Sequence, residues 1–287
     1  MTERRAAEAP IGVFDSGVGG LTVLAALTRE LPAEDFVYLG DTARLPYGTR
    51  SADSIRRYSL QAAGRLHDSG VKCLVVACNT ASAIALDALA HEFAPAPVLG
   101  VLEPGAVAAC RATRTGRIAV LATETTVRGG AYEAAIRYER PTAVVRSRAC
   151  AMLVALAEEG WVDGPVVEGV LHRYLDGLFD ARTGEDPPDT LLLGCTHFPV
   201  FAPLIAHMLG AGVTIVDSAA TTADALRRAL DAAQLVRSTS TTGTVRLLAT
   251  DGAERFARIG ATFLGRKLEG ADVEIVDLAT SPPVLRS

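Results

Sequence analysis

Lysine is nearly absent from this chain of 287 residues, which contains only Lys72 and Lys267. Enzymes that use pyridoxal phosphate need a lysine to hold the cofactor as a Schiff base. Lys72 precedes a predicted strand, at the end opposite to the usual ligand site, and Lys267 lies in a predicted polar turn. A lysine-bound cofactor is therefore hard to place, and we expect chemistry that needs no cofactor.

Other absences narrow the class of protein further. No apolar run approaches the roughly 20 residues of a membrane-spanning helix, and residues 1–10 lack the apolar segment of a signal peptide. We therefore expect a cytoplasmic protein without a membrane partner. The net charge of −5 offers no basic footprint for direct binding of nucleic acid, so we expect no nucleic-acid partner.

Cysteine occurs five times, but in an arrangement that argues against two common uses. Only one pair of cysteines, Cys73 and Cys78, has the C-x₂₋₄-C spacing that zinc sites use, and Cys73 lies inside an apolar run, so we expect no bound metal. An odd number of cysteines, mostly within apolar segments, also argues against a disulfide framework in a chain of this size.

What the sequence does contain is a regular alternation of short apolar runs and helical patterns. Runs such as 11–14, 36–40 and 73–77 are typical of strands buried on both faces, and a segment with helical spacing follows each run. This alternation predicts an α/β fold with mainly parallel sheets flanked by helices.

Two of the predicted strands lead directly into a cysteine. The run at 73–77 is followed by Cys78 and then by Asn-Thr, and the run at 191–194 is followed by Cys195 and then by Thr-His. In open α/β sheets, ligands bind at the carboxyl ends of the strands. We therefore expect the two thiols to face each other across one small substrate. The other polar residues at predicted strand ends, which we expect in the same cleft, are Asp15, Asp41, Thr123 and Asp217.

Four explanations of the paired cysteines are open at this point. Both can be buried structural residues, or Cys195 and His197 can ligate a metal. The same two residues can also form a Cys–His hydrolase pair, which would leave Cys78 without a role. Lastly, inversion of a stereocentre needs a base on one face of a carbon and an acid on the other, and two thiols at equivalent positions supply both.

A thiol needs activation for such proton transfer, because its ordinary pKa is about 8.5. The helices predicted to begin after both strands, and a cationic or hydrogen-bonding His197, can lower the thiol pKa. Asp15 and Glu158 are candidates for assisting proton movement around a substrate ammonium.

Three loops have alternative interpretations. The glycine-rich segment 15–20 can bind a phosphate through its N–H groups, although the carboxylate of Asp15 suits an ammonium group better. A tight turn without any binding function is supported equally well. Thr123 and Thr126 can grip a substrate carboxylate, but capping of the following helix is favoured for any single threonine. The segment 41–48 is either a recognition loop or a turn set by its proline and glycine.

Four motifs, taken together, resemble the glutamate racemases of the aspartate/glutamate racemase superfamily. They are DSGVGGLT at 15–22, GDTARLPYG at 40–48, ACNTAS at 77–82 and GCTHFP at 194–199. The resemblance implies a cofactor-independent, two-base racemisation of L- and D-glutamate, in which D-glutamate supplies peptidoglycan precursors. It also implies two similar α/β domains with the active site in the cleft between them. We assign 1–103 plus 215–287 to the first domain, which carries Cys78, and 104–214 to the second, which carries Cys195.

The resemblance also assigns roles to individual residues. Cys78 takes the α-proton from D-glutamate and Cys195 takes it from L-glutamate, with Asp15, Glu158 and His197 as assisting catalytic groups. The residues expected to hold the substrate are Asp15, Ser16, Pro46, Tyr47, Gly48, Asn79, Thr80, Thr123, Thr126, Thr196 and His197.

Other functions within reach of the resemblance are an aspartate racemase, which is the nearer rival, and a one-cysteine decarboxylase, against which the second cysteine argues. A regulatory, gyrase-binding protein is an alternative of a different class. The expected partner is the small-molecule substrate glutamate, and the resemblance also allows a homodimer and binding to gyrase.

Overall fold

The computed structural model of the chain describes residues 6–179, 186–239 and 241–278. The strands are β1 Ile11–Asp15, β2 Phe36–Gly40, β3 Cys73–Val76, β4 Val98–Gly100, β5 Arg117–Ala122, β6 Val144–Ala149, β7 Thr190–Gly194, β8 Thr214–Asp217, β9 Val245–Ala249 and β10 Val273–Ile275. The helices are α1 Leu21–Glu30, α2 Ala52–His67, α3 Asn79–Glu92, α4 Leu102–Ala112, α5 Glu124–Gly129, α6 Ala131–Glu139, α7 Ala151–Glu158, α8 Pro165–Leu175, α9 Ala202–Leu209, α10 Ser218–Ala232 and α11 Ala253–Leu264. Short 3₁₀ turns lie at Tyr47–Thr49, Phe198–Phe201 and Gly270–Asp272.

The strands form two sheets, and every described strand pairing is parallel. The first sheet has the order β10-β9-β2-β1-β3-β4, and the second has the order β6-β5-β7-β8. In the first sheet, Ile11 of β1 is aligned with Phe36 of β2 and with Cys73 of β3. The predicted α/β fold with two parallel sheets flanked by helices is therefore confirmed.

The apolar content of the central strands explains their position. Strands β1, β2 and β7 are buried along their whole length, as expected for parallel strands with helices on both faces. Phe14, Leu39 and Leu192 are among the fully buried side chains, and each such burial stabilises the fold by roughly 1.5–3 kcal/mol. These rigid central strands hold the segments that follow them in fixed positions at one edge of each sheet.

The last two helices of the chain pack against helices that come much earlier in the sequence. α10 packs against α1 and α4, and α11 packs against α1. We propose the domain division predicted from the sequence, 1–103 plus 215–287 and 104–214. Sheet membership agrees with this division except at β8, which pairs with the second sheet although residues 215–217 are assigned to the first domain.

Two local expectations differ from the structure. The apolar spacing of residues 166–179 predicts a single helix over this range, but α8 ends at Leu175. Gly177, with a φ of +73°, follows, and a left-handed glycine is a common stop signal after a helix. Asp217, expected in the cleft, instead accepts hydrogen bonds from the N–H groups of Ala219 and Ala220 and caps α10.

Candidate active site

Cys78 lies at the N-terminus of α3, just beyond the end of β3. Its side chain is 5% exposed. Its Sγ accepts a hydrogen bond from the N–H of Ala81 at 3.4 Å and lies 3.6 Å from Oγ of Ser16. Ser16 directly follows β1, so two neighbouring strands of the first sheet supply the thiol and its hydroxyl partner.

The surroundings of Cys78 favour the protonated thiol. Burial raises the pKa of Cys78 to about 12, and the negative charge of Asp15 acts in the same direction. The N–H of Ala81 and the hydroxyl of Ser16 oppose this shift without cancelling it. At neutral pH, Cys78 is therefore a thiol that is able to donate a proton.

Cys195 directly follows β7 and is also 5% exposed. Its Sγ lies 3.8 Å from Nδ1 of His197. Nε2 of the same ring lies 3.3 Å from Oε1 of Glu158, which is an ion-pair contact and not an aligned hydrogen bond, because Nε2 has no hydrogen-bond partner in the described part of the chain. Oε2 of Glu158 in turn lies 3.1 Å from Nη2 of Arg255. The thiol of Cys195 is thus followed by three ionisable groups in contact, those of His197, Glu158 and Arg255.

The charge of His197 distinguishes this thiol from Cys78. Burial disfavours the imidazolium, yet the pKa of His197 is raised to about 10, because Cys195, Glu158 and Asp15 surround the ring with negative charge. Burial likewise opposes ionisation of Glu158, but His197 and Arg255 outweigh it and lower the pKa of this carboxyl. The imidazolium therefore places a positive charge beside the sulfur of Cys195, and Cys78 has no such neighbour among its described contacts.

The two cysteine segments meet at Asp15 and Thr196. Oγ1 of Thr196 lies 3.5 Å from Oδ1 of Asp15, and Oγ1 of Thr22 donates to the carbonyl of Thr196 at 3.0 Å. Ser16, which contacts the sulfur of Cys78, is the chain neighbour of Asp15, and Thr196 is the chain neighbour of Cys195. The structure therefore brings the two predicted thiols into one site.

Asp15 is the last residue of β1 and is fully buried. Its Oδ2 accepts a hydrogen bond from the N–H of Gly17 at 2.9 Å. Burial raises the pKa of Asp15, while the charge of His197 and nearby backbone N–H groups act in the opposite direction. The carboxyl is thus poised to exchange a proton within the site.

The glycines after Asp15 allow close packing. A Cβ on Gly19 would lie 2.6 Å from Oγ1 of Thr196 and from Nδ1 of His197, and a Cβ on Gly20 would lie 2.4 Å from the Cβ of Asp15. Of the two interpretations of this loop, the structure favours tight packing over a phosphate cradle, because the glycines let the β1 loop touch the segment that follows β7.

Three threonines from both halves of the molecule join their hydroxyls. Oγ1 of Thr80 lies 3.0 Å from that of Thr123 and 3.3 Å from that of Thr126, and the last two are 3.0 Å apart. Thr123 occupies the cap position of α5, but its side chain makes no capping hydrogen bond. Capping is therefore the wrong interpretation for Thr123, and the cluster offers hydroxyl donors to a carboxylate.

The 3₁₀ turn at Tyr47–Thr49, which ends the segment 41–48, packs against α5 and α3. Tyr47 is fully buried, and its hydroxyl donates to Oδ2 of Asp41 at 2.5 Å. The carbonyl of Gly48 accepts from Oγ1 of Thr125 at 2.8 Å, which ties the loop to α5. Pro46 is exposed, unlike its two neighbours.

The side-chain amide of Asn79 has a hydrogen-bond partner for its oxygen but none for its nitrogen in the described part of the chain. Its Oδ1 accepts a hydrogen bond from the hydroxyl of Tyr132 at 2.5 Å. Its Nδ2 is buried and has no hydrogen-bond partner in the described part of the chain. Because an unpaired buried donor is costly, this N–H₂ group is well suited to a ligand oxygen.

Sequence reasoning missed three residues that shape the site. Asp41 was recognised only as a polar strand-end residue, and its role as the anchor of Tyr47 needed the structure. Tyr132 and Arg255 lie within helices, where nothing in the local sequence distinguishes them from surface residues.

Residues 6–179, 186–239 and 241–278 contain neither a metal-binding cluster nor a membrane-spanning helix. Within these ranges no group of three or more histidine, cysteine, aspartate or glutamate side chains is placed to hold a metal ion. Also within them, no helix combines the length and apolar character that crossing a membrane requires.

The parallel sheets and the paired strand-end thiols define a class of protein. The chain belongs to the Asp/Glu/hydantoin racemase family, whose sequence profile matches residues 11–226. A curated glutamate racemase from Geobacter metallireducens is 48% identical over 258 residues, which cover 90% of this chain and 93% of that protein. Within the family the chain groups with the glutamate racemases, which confirms the resemblance of the four motifs.

Solved structures agree with this grouping. Glutamate racemase from Francisella tularensis, solved in complex with D-glutamate, superposes with a TM-score of 0.85 at 34% identity and covers 96% of this chain and 100% of its own. Glutamate racemase from Thermus thermophilus, in complex with β-chloro-D-alanine, gives a TM-score of 0.82 at 42% identity and covers 95% of this chain and 98% of its own.

Proposed function

We propose that this chain interconverts L- and D-glutamate by two-base proton transfer at the α-carbon, without a cofactor. The observation that carries the proposal is the pair of buried strand-end thiols, Cys78 and Cys195, each with its own proton-handling neighbours in one site. The relatives named glutamate racemase, and the D-glutamate bound to the Francisella tularensis enzyme, support glutamate as the substrate.

In the L-to-D direction Cys195 acts as the base. Its thiolate, paired with the His197 imidazolium, removes the α-proton from one face of the carbon. The Cys78 thiol then donates a proton to the opposite face, and the D-to-L direction reverses the two roles. Each turnover leaves the thiols with exchanged protonation states, and we assign the reset to Asp15 and to the His197–Glu158 pair.

The substrate is held by groups that match its three charges. Asp15, next to Ser16, supplies negative charge to the ammonium. The open amide of Asn79 and the hydroxyl of Thr196 are donors for the α-carboxylate. For the distal carboxylate we assign the hydroxyls of Thr80, Thr123 and Thr126 together with the loop that contains Pro46, Tyr47 and Gly48.

We further propose that the D-glutamate produced feeds peptidoglycan precursor synthesis in the cytoplasm. A homodimer and binding to gyrase stay predictions from the family resemblance. Sedimentation equilibrium of the purified chain tests the first, and a gyrase supercoiling assay with the chain added tests the second.

The decisive experiment follows the circular dichroism of L-glutamate mixed with the purified full chain, in buffer with EDTA and without pyridoxal phosphate. We expect the signal to decay to zero as the racemic mixture forms. No decay with L-glutamate would refute the proposed activity, and a requirement for pyridoxal phosphate would refute its cofactor independence.

L-Aspartate in the same assay separates the nearest alternative. Its shorter side chain would leave polar groups of the distal pocket unpaired, at about 1–3 kcal/mol for each group. We therefore expect kcat/KM for aspartate to be lower by roughly 5- to 150-fold for each group left unpaired. Equal kcat/KM for the two acids would contradict the assignment of glutamate as the preferred substrate.

A further inference from the structure

Glu158 is held between two cations that each contact a different carboxylate oxygen. Oε1 lies 3.3 Å from Nε2 of His197, and Oε2 lies 3.1 Å from Nη2 of Arg255. The Glu158 side chain is 12% exposed, and Glu158 is the last residue of α7. The orientation of this carboxylate therefore depends on both neighbours, and only His197 belongs to the predicted site.

Arg255 reaches Glu158 from the other half of the molecule. It lies in the first turn of α11, which packs against α1, whereas Glu158 and His197 belong to segments next to the second sheet. α11 also contacts the imidazole directly, because Phe263 meets the His197 ring edge-on with the ring centres 5.3 Å apart. One helix thus touches both members of the His197–Glu158 pair.

The position of Arg255 does not serve the stability of α11. The first turn of a helix favours acidic side chains, because the N-terminal end of the helix dipole is positive. The Arg255 side chain is 51% exposed, and ion pairs with an exposed partner contribute little to folding. A cation at this place is better explained by its contact with Glu158.

We propose that Arg255 is a positioning residue of the proton-transfer site: its guanidinium keeps Glu158 ionised and aimed at His197, and so keeps the imidazolium in place beside Cys195. The charged groups that act on His197 are Cys195, Glu158 and Asp15, and Arg255 and His197 are those that lower the pKa of Glu158. Asp251 lines the same small cavity of about 80 Å³ as Glu158 and Arg255. Only the expected change in the pH profile of kcat/KM rests on the proposed racemase activity.

The test compares Arg255→Met with Arg255→Lys and with Arg258→Met, a matched control in which an exposed arginine of the same helix is replaced. The first readout is the pH titration of His197 in ¹⁵N-histidine-labelled protein, with the signal assigned by its loss in His197→Gln. We expect Arg255→Met to lower the pKa of His197 by roughly one unit, Arg255→Lys to restore most of it, and Arg258→Met to leave it unchanged.

The second readout is the pH profile of kcat/KM for glutamate. We expect the alkaline limb of the profile to move to lower pH in Arg255→Met by the same amount as the histidine titration. At pH values above the alkaline limb of the wild type, kcat/KM of the variant should then be roughly tenfold lower than that of the wild type. The equilibrium constant between enantiomers is unity, so kcat/KM must shift equally in both directions and either direction serves.

Three results would overturn the proposal. They are an unchanged His197 titration in Arg255→Met, no recovery in Arg255→Lys, and an equal lowering in Arg258→Met, which would show that the effect does not depend on the contact between Arg255 and Glu158. The histidine titration needs no turnover. If the protein did not racemise glutamate, the proposed function would be refuted, and the histidine titration would still decide whether Arg255 positions Glu158.

Discussion

The two cysteine segments of this protein have similar sequences and different surroundings. Each consists of an apolar strand, a cysteine and polar residues at the start of a helical segment. Cys78 is surrounded by the neutral donors Ser16 and Ala81 and by the negative charge of Asp15, which together with burial gives it a pKa of about 12. Cys195 instead faces His197, which is charged at neutral pH.

This difference shows how one site can hold an acid and a base made from the same side chain. Burial and negative charge keep Cys78 protonated, while Cys195 has the positive charge of the His197 imidazolium beside it. Because kcat/KM must be equal in both directions, the asymmetry between the thiols is expressed in kcat and KM separately, and in isotope exchange.

The largest expected effect comes from removing either thiol. Cys78→Ala and Cys195→Ala should each lose racemisation by at least roughly 10²–10⁴-fold, because every turnover needs an acid opposite the base. In D₂O, Cys78→Ala should still exchange the α-hydrogen of L-glutamate with retention through Cys195, and it should leave D-glutamate nearly untouched. Cys195→Ala should show the reverse preference, as measured by NMR of the α-hydrogen.

Cys110→Ala is the control for this comparison, since Cys110 is a half-buried thiol whose Sγ contacts only a helix carbonyl at 3.6 Å among its described hydrogen bonds. It should retain full activity. Circular dichroism verifies that each variant is folded. Full racemase activity in either folded active-site variant would contradict the two-thiol mechanism.

An intermediate effect should separate the partners of the two thiols. His197→Gln removes the charge that stabilises the Cys195 thiolate and should lower kcat/KM by roughly 10²-fold. Ser16→Ala removes a neutral hydrogen bond from Cys78, worth about 0.5–1.5 kcal/mol, and should lower kcat/KM by roughly 2- to 12-fold. Steady-state kinetics of both variants tests this, and equal losses would show that the two half-sites are electrostatically alike.

The smallest expected effect is on stability, and in the Cys195 half it depends on the titration of His197. The pKa of His197 is raised from its ordinary 6.5 to about 10, so its stabilising contribution is full below pH 6.5 and is lost as pH rises through about 10. The Tm difference between wild type and His197→Gln should therefore be larger at pH 6 than at pH 10.5. The corresponding difference for Ser16→Ala should not vary with His197 titration, and a constant difference for both variants would contradict the charge assigned to His197.

Much of the fold was predictable because the central strands are buried on both faces. The run Phe36–Gly40 is predicted and observed with the same bounds, since five consecutive buried residues followed by a polar loop leave little ambiguity. The stop of α8 at Leu175 was less predictable, because the apolar pattern continues to Phe179 while Gly177 takes a left-handed backbone. Such a stop depends on local backbone geometry that hydrophobic periodicity does not report.

The site was predictable to the extent that its residues follow strands. Cys78, Thr123 and Cys195 follow strand ends, and parallel strands bring such ends to one edge of a sheet. Asp217 also ends a strand, yet its carboxylate caps α10, so position at a strand end is not sufficient for membership of the site.

The amino-acid sequence by itself determined the α/β architecture, the two thiols and the polar residues beside them, because periodicity and strand-end position are local properties. Only the tertiary structure decided the different surroundings of the two thiols. Those surroundings include the burial of Cys78, the charge of Asp15 near it, and the contact of Arg255 with Glu158 across 97 positions of the chain. Electrostatic energy depends on distance in space, and sequence separation carries no information about that distance.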